Sequence, residues 1–539
     1  MATIKWGGTT STDSSVASNW QGGSKPTTSD DVVFDNTASD DCILAEDLSV
    51  KSIFMDNNWD QKWDLAGYTA TANNGAITLD GDKSTVNFDA SASGSKLVVV
   101  GDYGLTINDL NHGYLEDNNL TIELQGTGTY YCGDASFGPL KMIVAASGKT
   151  TTIDGFTTSI TKIKKGAGNL VLDSELHIYV AADADFSWSA GGTISGSGNL
   201  FIKLASNNLT LTIPGFDGPT YTGTIILYMN GTDGMINVTG DIDLSTDGSL
   251  TLESNSSGTV DFDDVNVEVY KFTFGASNND ELTFNAGDGA WTINGDWATI
   301  NGDSDSIVNW NWEGSTWDVY GYVLLSSFIG TVNIDVGTAK LNFRGANGQF
   351  FDVATGYEYP DIEINKSYEN VTIGGSGGNL TCGNFYHKSG GFTVNGKTVE
   401  CEDFRLGVDS TAATYNTMLT VNGDIIIEKS IYINRLIFQS GQATIDNTGT
   451  ILIPNYTSGD WDGSSWESDS AGDQFNLTNP AGITLLNTTW KDAVASNTIT
   501  ATDASNTNLG NNVNINLPAV ASTIIPKVDY FMRRKRVAA

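Results

Sequence analysis

The chain has 539 residues, with 64 Asp and Glu against 27 Lys and Arg, a formal net charge of −37. Such a charge repels nucleic acid and anionic membrane surfaces, whereas 39% apolar residues, 10% aromatics and 13 Trp are too much apolar surface for a disordered chain. The length exceeds what one compact core usually supports, so several domains or one repeat body are expected.

The chain opens with "MATIKWGGTTSTDSS", which lacks the apolar stretch of an export signal. Its longest apolar runs, "KLVVVG" and "GTIILYM", are too short to span a bilayer. Residues 1–40 carry two tryptophans, a Gly/Pro loop and the strand "DDVVFD". We read them as an N-terminal cap, because the open end of a stacked-strand body exposes edges that need covering.

From 41 to 480 one small unit recurs: Gly, a small or polar residue, then apolar–x–apolar. It is seen in "GAITL" (75–79), "GNLVL" (168–172), "GNLFI" (198–202), "GSLTL" (248–252) and "GAWTI" (289–293). A second echo is "TVNFD" (85–89), "TVDFD" (259–263) and "TVNID" (331–335). The alternation buries one strand face and exposes the other, and recurrence at roughly 20 to 30 residues is the mark of a solenoid. The expected fold is all-β, an elongated parallel β-helix (β-solenoid), with tandem β-sandwiches as the alternative. A Trp-rich stretch at 291–317 interrupts the body, and residues 481–539 form a polar, Asn-rich segment ending in the basic run Arg533, Arg534, Lys535 and Arg536.

Few residues point to catalysis. The four cysteines (Cys42, Cys132, Cys382, Cys401) form no CxxC motif and read as buried free thiols, although Cys382 and Cys401 could pair if neighbouring strands stack. Three histidines make a His-based zinc site or triad improbable. Acid pairs such as Asp263–Asp264, Asp303–Asp305 and Asp460–Asp462 could cut a polysaccharide. In a chain with 64 acids they read better as solvated turn residues, and no catalytic residue is assigned. No cofactor is expected beyond a structural calcium ion. "DNNWDQKWDLAG" spaces Asp56, Asn58 and Asp60 like an EF-hand loop but puts Gln61 where Gly is required and Gly67 where Glu is required. "NGDSDS" (301–306) and "SGDWDGSSWESD" (458–469) are the other acid-rich loops.

Flat aromatics stack on sugar rings, which makes Trp297, Trp310, Trp312, Trp317, Trp461 and Trp466 the candidate glycan contacts. Core or intersubunit packing is the favoured reading of the same side chains. The basic run, Arg533 to Arg536, is a candidate docking tail for an acidic partner surface; a frayed, solvated terminus is the alternative.

The opening "W-G-G…A-S-N-W-Q-G-G…P…D-D-V-V-F-D" resembles the entry segment of bacterial and phage surface proteins of the parallel β-helix type. "GAGNLVLDSELHIY" and "ISGSGNLFIKLASNNLTLTIPGFDGPTYTGTIIL" look like degenerate autotransporter-type strand repeats, and "LTCGNFYHKSGGFTVNGKTVECEDFRLG" (380–407) is similar to coils of tailed-phage virion proteins. The resemblance implies a fold and a surface-exposed location, on the virion or alternatively extracellular or on a cell surface, and carries over no catalytic residue. It leads us to expect a non-enzymatic structural or adhesive protein of a tailed-phage particle (fibre, spike or capsid decoration). Its expected partners are other virion proteins, further copies of itself as a homotrimer, and host glycan, with no nucleic acid and no membrane span. A tailspike polysaccharide depolymerase and a bacterial extracellular adhesin or surface-layer protein are the alternatives.

Overall fold

The computed structural model describes residues 2–80, 88–108, 119–133, 140–155, 158–277, 280–299, 304–325, 330–353, 356–374, 379–393 and 398–406, then short strands between 418 and 516. The chain is all-β with almost no helix, its strands pairing in parallel and stacking as a β-solenoid. Parallel pairing excludes the tandem sandwiches, whose sheets are antiparallel. Two compact units divide within 294–332, a stretch that overlaps the Trp-rich residues 291–317.

In the first unit the strand Thr3–Lys5 pairs in parallel with Asp31–Phe34, which pairs with Ser52–Met55. The loop between the first two strands is ordered by the motif residues themselves. Buried Asn19 accepts the backbone N–H groups of Thr10 and Ser11 at 2.9 and 3.0 Å and donates to the Asp13 carbonyl at 2.8 Å. Trp6 and Trp20 meet edge to face, 5.0 Å between ring centroids, each indole N–H ending on a backbone carbonyl, of Asp40 and Ser14 respectively. This arrangement accounts for the W-G-G…S-N-W spacing.

Beyond the loop, alternation builds the interior. Leu97, Ile122, Met142, Ile163 and Phe186 stack in register on successive coils, all buried. Each such apolar side chain contributes roughly 1.5–3 kcal/mol by leaving water, and no coil can achieve that alone because its inner face is closed by its neighbours.

The turns are held by a second device. An Asp or Asn side-chain oxygen on one coil accepts a backbone N–H of the next. Asp47 takes that of Thr69 (2.9 Å), Asp102 that of Thr127 (2.8 Å), Asn169 that of Thr193 (3.0 Å), Asn199 that of Thr224 (3.0 Å) and Asn207 that of Thr232 (2.9 Å). The Asn of "GNLVL" and "GNLFI" is therefore the acceptor that pins the following coil where the ladder ends.

The second unit repeats both devices. Trp317, Leu341, Ile362 and Phe385 form one inward column, and Val319, Phe343, Ile364 and His387 its neighbour. His387 is fully buried and donates from Nε2 to the Gly390 carbonyl at 2.9 Å; burial pushes its pKa down to about 4, so it sits in the core as a neutral ring. Asp296 and Asp361 supply the turn acceptors, to Tyr322 at 3.0 Å and Asn384 at 2.7 Å. Cys382 and Cys401 stack in register on successive strands, both buried free thiols, as are Cys42 and Cys132.

Candidate functional site

The segment "TWDVYGYVLL" (316–325) alternates, and the alternation decides what each aromatic does. Trp317, Val319 and Val323 point inward; Tyr320 and Tyr322 point outward and are 39% and 47% exposed. Val323 pairs with Phe351, so Tyr322 and Phe350 hold corresponding outward positions on successive coils, and Phe350 pairs with Thr372 on the next. Together with Asn347, Gln349, Glu369 and Asn370 these residues line an open groove of about 860 Å³ in the second unit. That volume is within the range of ordinary ligand sites.

The groove floor is braced from beneath. Lys366 is 1% exposed, and its ammonium donates to Gln349 Oε1 (2.6 Å), to the Asn347 carbonyl (2.6 Å) and to the Arg344 carbonyl (3.4 Å). Gln349 in turn donates from Nε2 to the carbonyls of Val319 (2.8 Å) and Gly321 (3.0 Å). One buried cation thus ties together the three coils that carry Tyr322, Phe350 and Thr372. Burial lowers the Lys366 pKa to about 8, with the Glu369 carboxylate opposing the shift. Outside the groove, Arg344 bridges Asp318 (3.1 Å) and Glu363 (2.8 Å), and Lys388 also pairs with Glu363 (2.8 Å), an ion network over the same coils.

Glu369 holds φ of +57°, a left-handed conformation that costs a non-glycine residue roughly 1–2 kcal/mol. Its carboxylate lies against Gly348, where an added Cβ would come within 3.1 Å of Oε2. Strain of this kind persists where the surroundings over-determine it and concentrates at functional sites.

The sequence candidates fall elsewhere. Trp297, Trp312 and Trp317 are fully buried in the second unit, their rings packed on one another at 4.6 to 5.5 Å between centroids. Trp310 is buried in the first unit against Phe274 at 4.9 Å. None of the four offers a ring face to a sugar, so the glycan-contact reading of these residues is corrected to core packing: coils above and below close over an inward indole. Trp461 lies in the strand Gly459–Asp462 and Trp466 in Ser465–Glu467; their side chains are outside the described residues, as is the whole of Arg533, Arg534, Lys535 and Arg536. Asp56 accepts the N–H of Asn58 at 2.9 Å as a local turn. Among the described residues no cluster of three or more His, Cys, Asp or Glu is placed to hold a metal ion. Sequence reasoning passed over Tyr322, Asn347, Lys366, Glu369 and Asn370. The alternation of "TWDVYGY" could have separated the tyrosines from the tryptophans.

Comparison of the chain with protein-family models, with curated proteins and with solved structures finds no match.

Proposed function

We propose that this chain is a non-enzymatic structural and adhesive component of a tailed-phage particle, displaying a β-solenoid surface that contacts glycan. The observation that carries the glycan part is the groove of the second unit. An exposed Tyr322 ring supplies an apolar face for a pyranose, and Asn347, Asn370, Thr372 and Glu369 supply acceptors and donors for its hydroxyls. Those are the few convergent polar groups that fix orientation in a binding site. Glu369 is the one carboxylate among the described lining residues. Glycoside hydrolysis in its usual form uses two, which favours binding over cleavage. The particle assignment rests on the resemblance of the entry segment and of the 380–407 coils, and on an acidic solenoid surface that resists non-specific association. Location is tested by immunogold labelling of purified particles, where label on virions is expected and label confined to cell envelopes overturns it. Incubation with capsular polysaccharide tests the depolymerase alternative, and no new reducing ends are expected.

A further inference from the structure

A second cleft, in the first unit, is built differently. The strand Phe186–Trp188 is the last of a seven-stranded sheet, and its Trp188 pairs in register with Lys165, which pairs with Val144. The inward column therefore changes from aliphatic to cation to indole where the sheet stops. At this sheet edge the Trp188 ring stays partly exposed and forms one wall of a cleft of about 150 Å³. Phe216 meets that ring edge on at 5.5 Å, and Ile194 and Pro214 complete the apolar lining. A cavity of that size takes about one six-membered ring.

Lys165 is only 2% exposed, yet its side chain reaches the cleft. Its ammonium donates to the carbonyls of Gly191 (2.9 Å) and Gly166 (3.1 Å) and lies 5.3 Å from the centre of the Trp188 ring. Two of its three N–H groups are thus used, and desolvation, with no compensating carboxylate, lowers its pKa. An uncompensated buried charge is costly. Asp217 and Asp241 stand exposed at the rim; Asp241 spends one oxygen on the N–H of Asn266 at 2.8 Å. The site therefore combines one buried cation, two carboxylates that accept from donors, and a flat aromatic wall.

We infer that this cleft binds a single acidic sugar residue, its carboxylate on the Lys165 ammonium, its hydroxyls donating to Asp217 and Asp241, and its apolar ring face on Trp188. A bare carboxylate leaves the two rim acids without donors, and a neutral sugar leaves the buried cation without a counter-charge. The carboxylate of an acidic peptide satisfies Lys165 but brings no set of ring hydroxyls.

The test is calorimetric titration of the full chain carrying Tyr322→Ala, which removes the ring of the other groove, with methyl glucuronide, methyl glucoside, acetate and an aspartyl dipeptide. Methyl glucuronide is expected to bind at least tenfold more tightly than each of the others. Trp188→Ala should weaken it tenfold or more, and the Asp217→Ala, Asp241→Ala double variant, which removes both rim acceptors at exposed positions, about fivefold without weakening acetate binding. Lys165→Met should abolish the preference over methyl glucoside. Equal binding of glucuronide and glucoside, tighter binding of the dipeptide, or indifference to the rim variant overturns the assignment. Either outcome leaves the Tyr322 groove untouched.

Discussion

The carboxylate of Asp296 accepts the backbone N–H of Tyr322 at 3.0 Å, across one full coil of the second unit. The same bond that closes a turn also fixes the chain at the residue whose ring stands 47% exposed over the groove. Turn stapling and site geometry are therefore one device here. A hydrogen bond of this class contributes about 1 kcal/mol net. Asp296→Ala should lower stability by about that amount and loosen the Tyr322 backbone. Asp296→Asn, which keeps the acceptor, should recover most of the loss. Denaturant midpoints and amide hydrogen exchange at Tyr322 check both.

Inward and outward aromatics of one segment should separate cleanly. Trp297 packs flat on Trp317 at 4.6 Å with an interplanar angle of 13° and is fully buried. Trp297→Ala should cost about 3–5 kcal/mol. Tyr322→Ala should stay within about 0.5 kcal/mol, as exposed substitutions do. Urea titration of the two variants side by side is the measurement.

Glu369 adopts φ of +57° at the groove edge. Glycine there removes the conformational penalty, so Glu369→Gly is expected to raise stability by up to about 1 kcal/mol while weakening glycan binding several-fold. A variant that gains stability and keeps full binding would show that the strained carboxylate does nothing for the ligand.

How far these features were legible in the sequence depends on whether they are local. Alternation is local, so the strands at "GNLVL" and "GNLFI", each with one buried face, could be read from the chain. So could the opposite facing of Trp317 and Tyr320. What could not be read is which residues meet between coils, because coil length varies: Leu97 to Ile122 is one coil and Met142 to Ile163 another, 25 and 21 residues respectively. The bond from Lys366 to Gln349 and on to Gly321 depends on that variable register, and nothing in the local pattern distinguishes Lys366 from a solvated lysine. Large size drew attention to the tryptophans, yet size is what the core needed.

Lys366 also gives the molecule a pH signature. Its folded pKa of about 8 lies below the ordinary lysine value of about 10.4. Between those two values the unfolded chain binds more protons than the folded one, so stability contributed by this group rises with pH, beginning near 8. By pH 9.5 the gain is about 2 kcal/mol relative to neutral pH. Urea midpoints of the wild type should rise over that window against those of Lys366→Met, which should lack the increment. Parallel curves would mean that the ammonium is not desolvated as the buried contacts imply.

The central claim is that the groove of the second unit holds glycan by its exposed ring and neighbouring amides. Equilibrium binding of the purified full chain to host envelope polysaccharide, compared with Tyr322→Ala and Asn370→Ala, tests it most directly. The account predicts saturable binding by the wild type that falls tenfold or more in each variant, with unchanged circular dichroism and melting temperature. Wild-type binding that survives both substitutions undiminished, or no binding to any host polysaccharide, would contradict it.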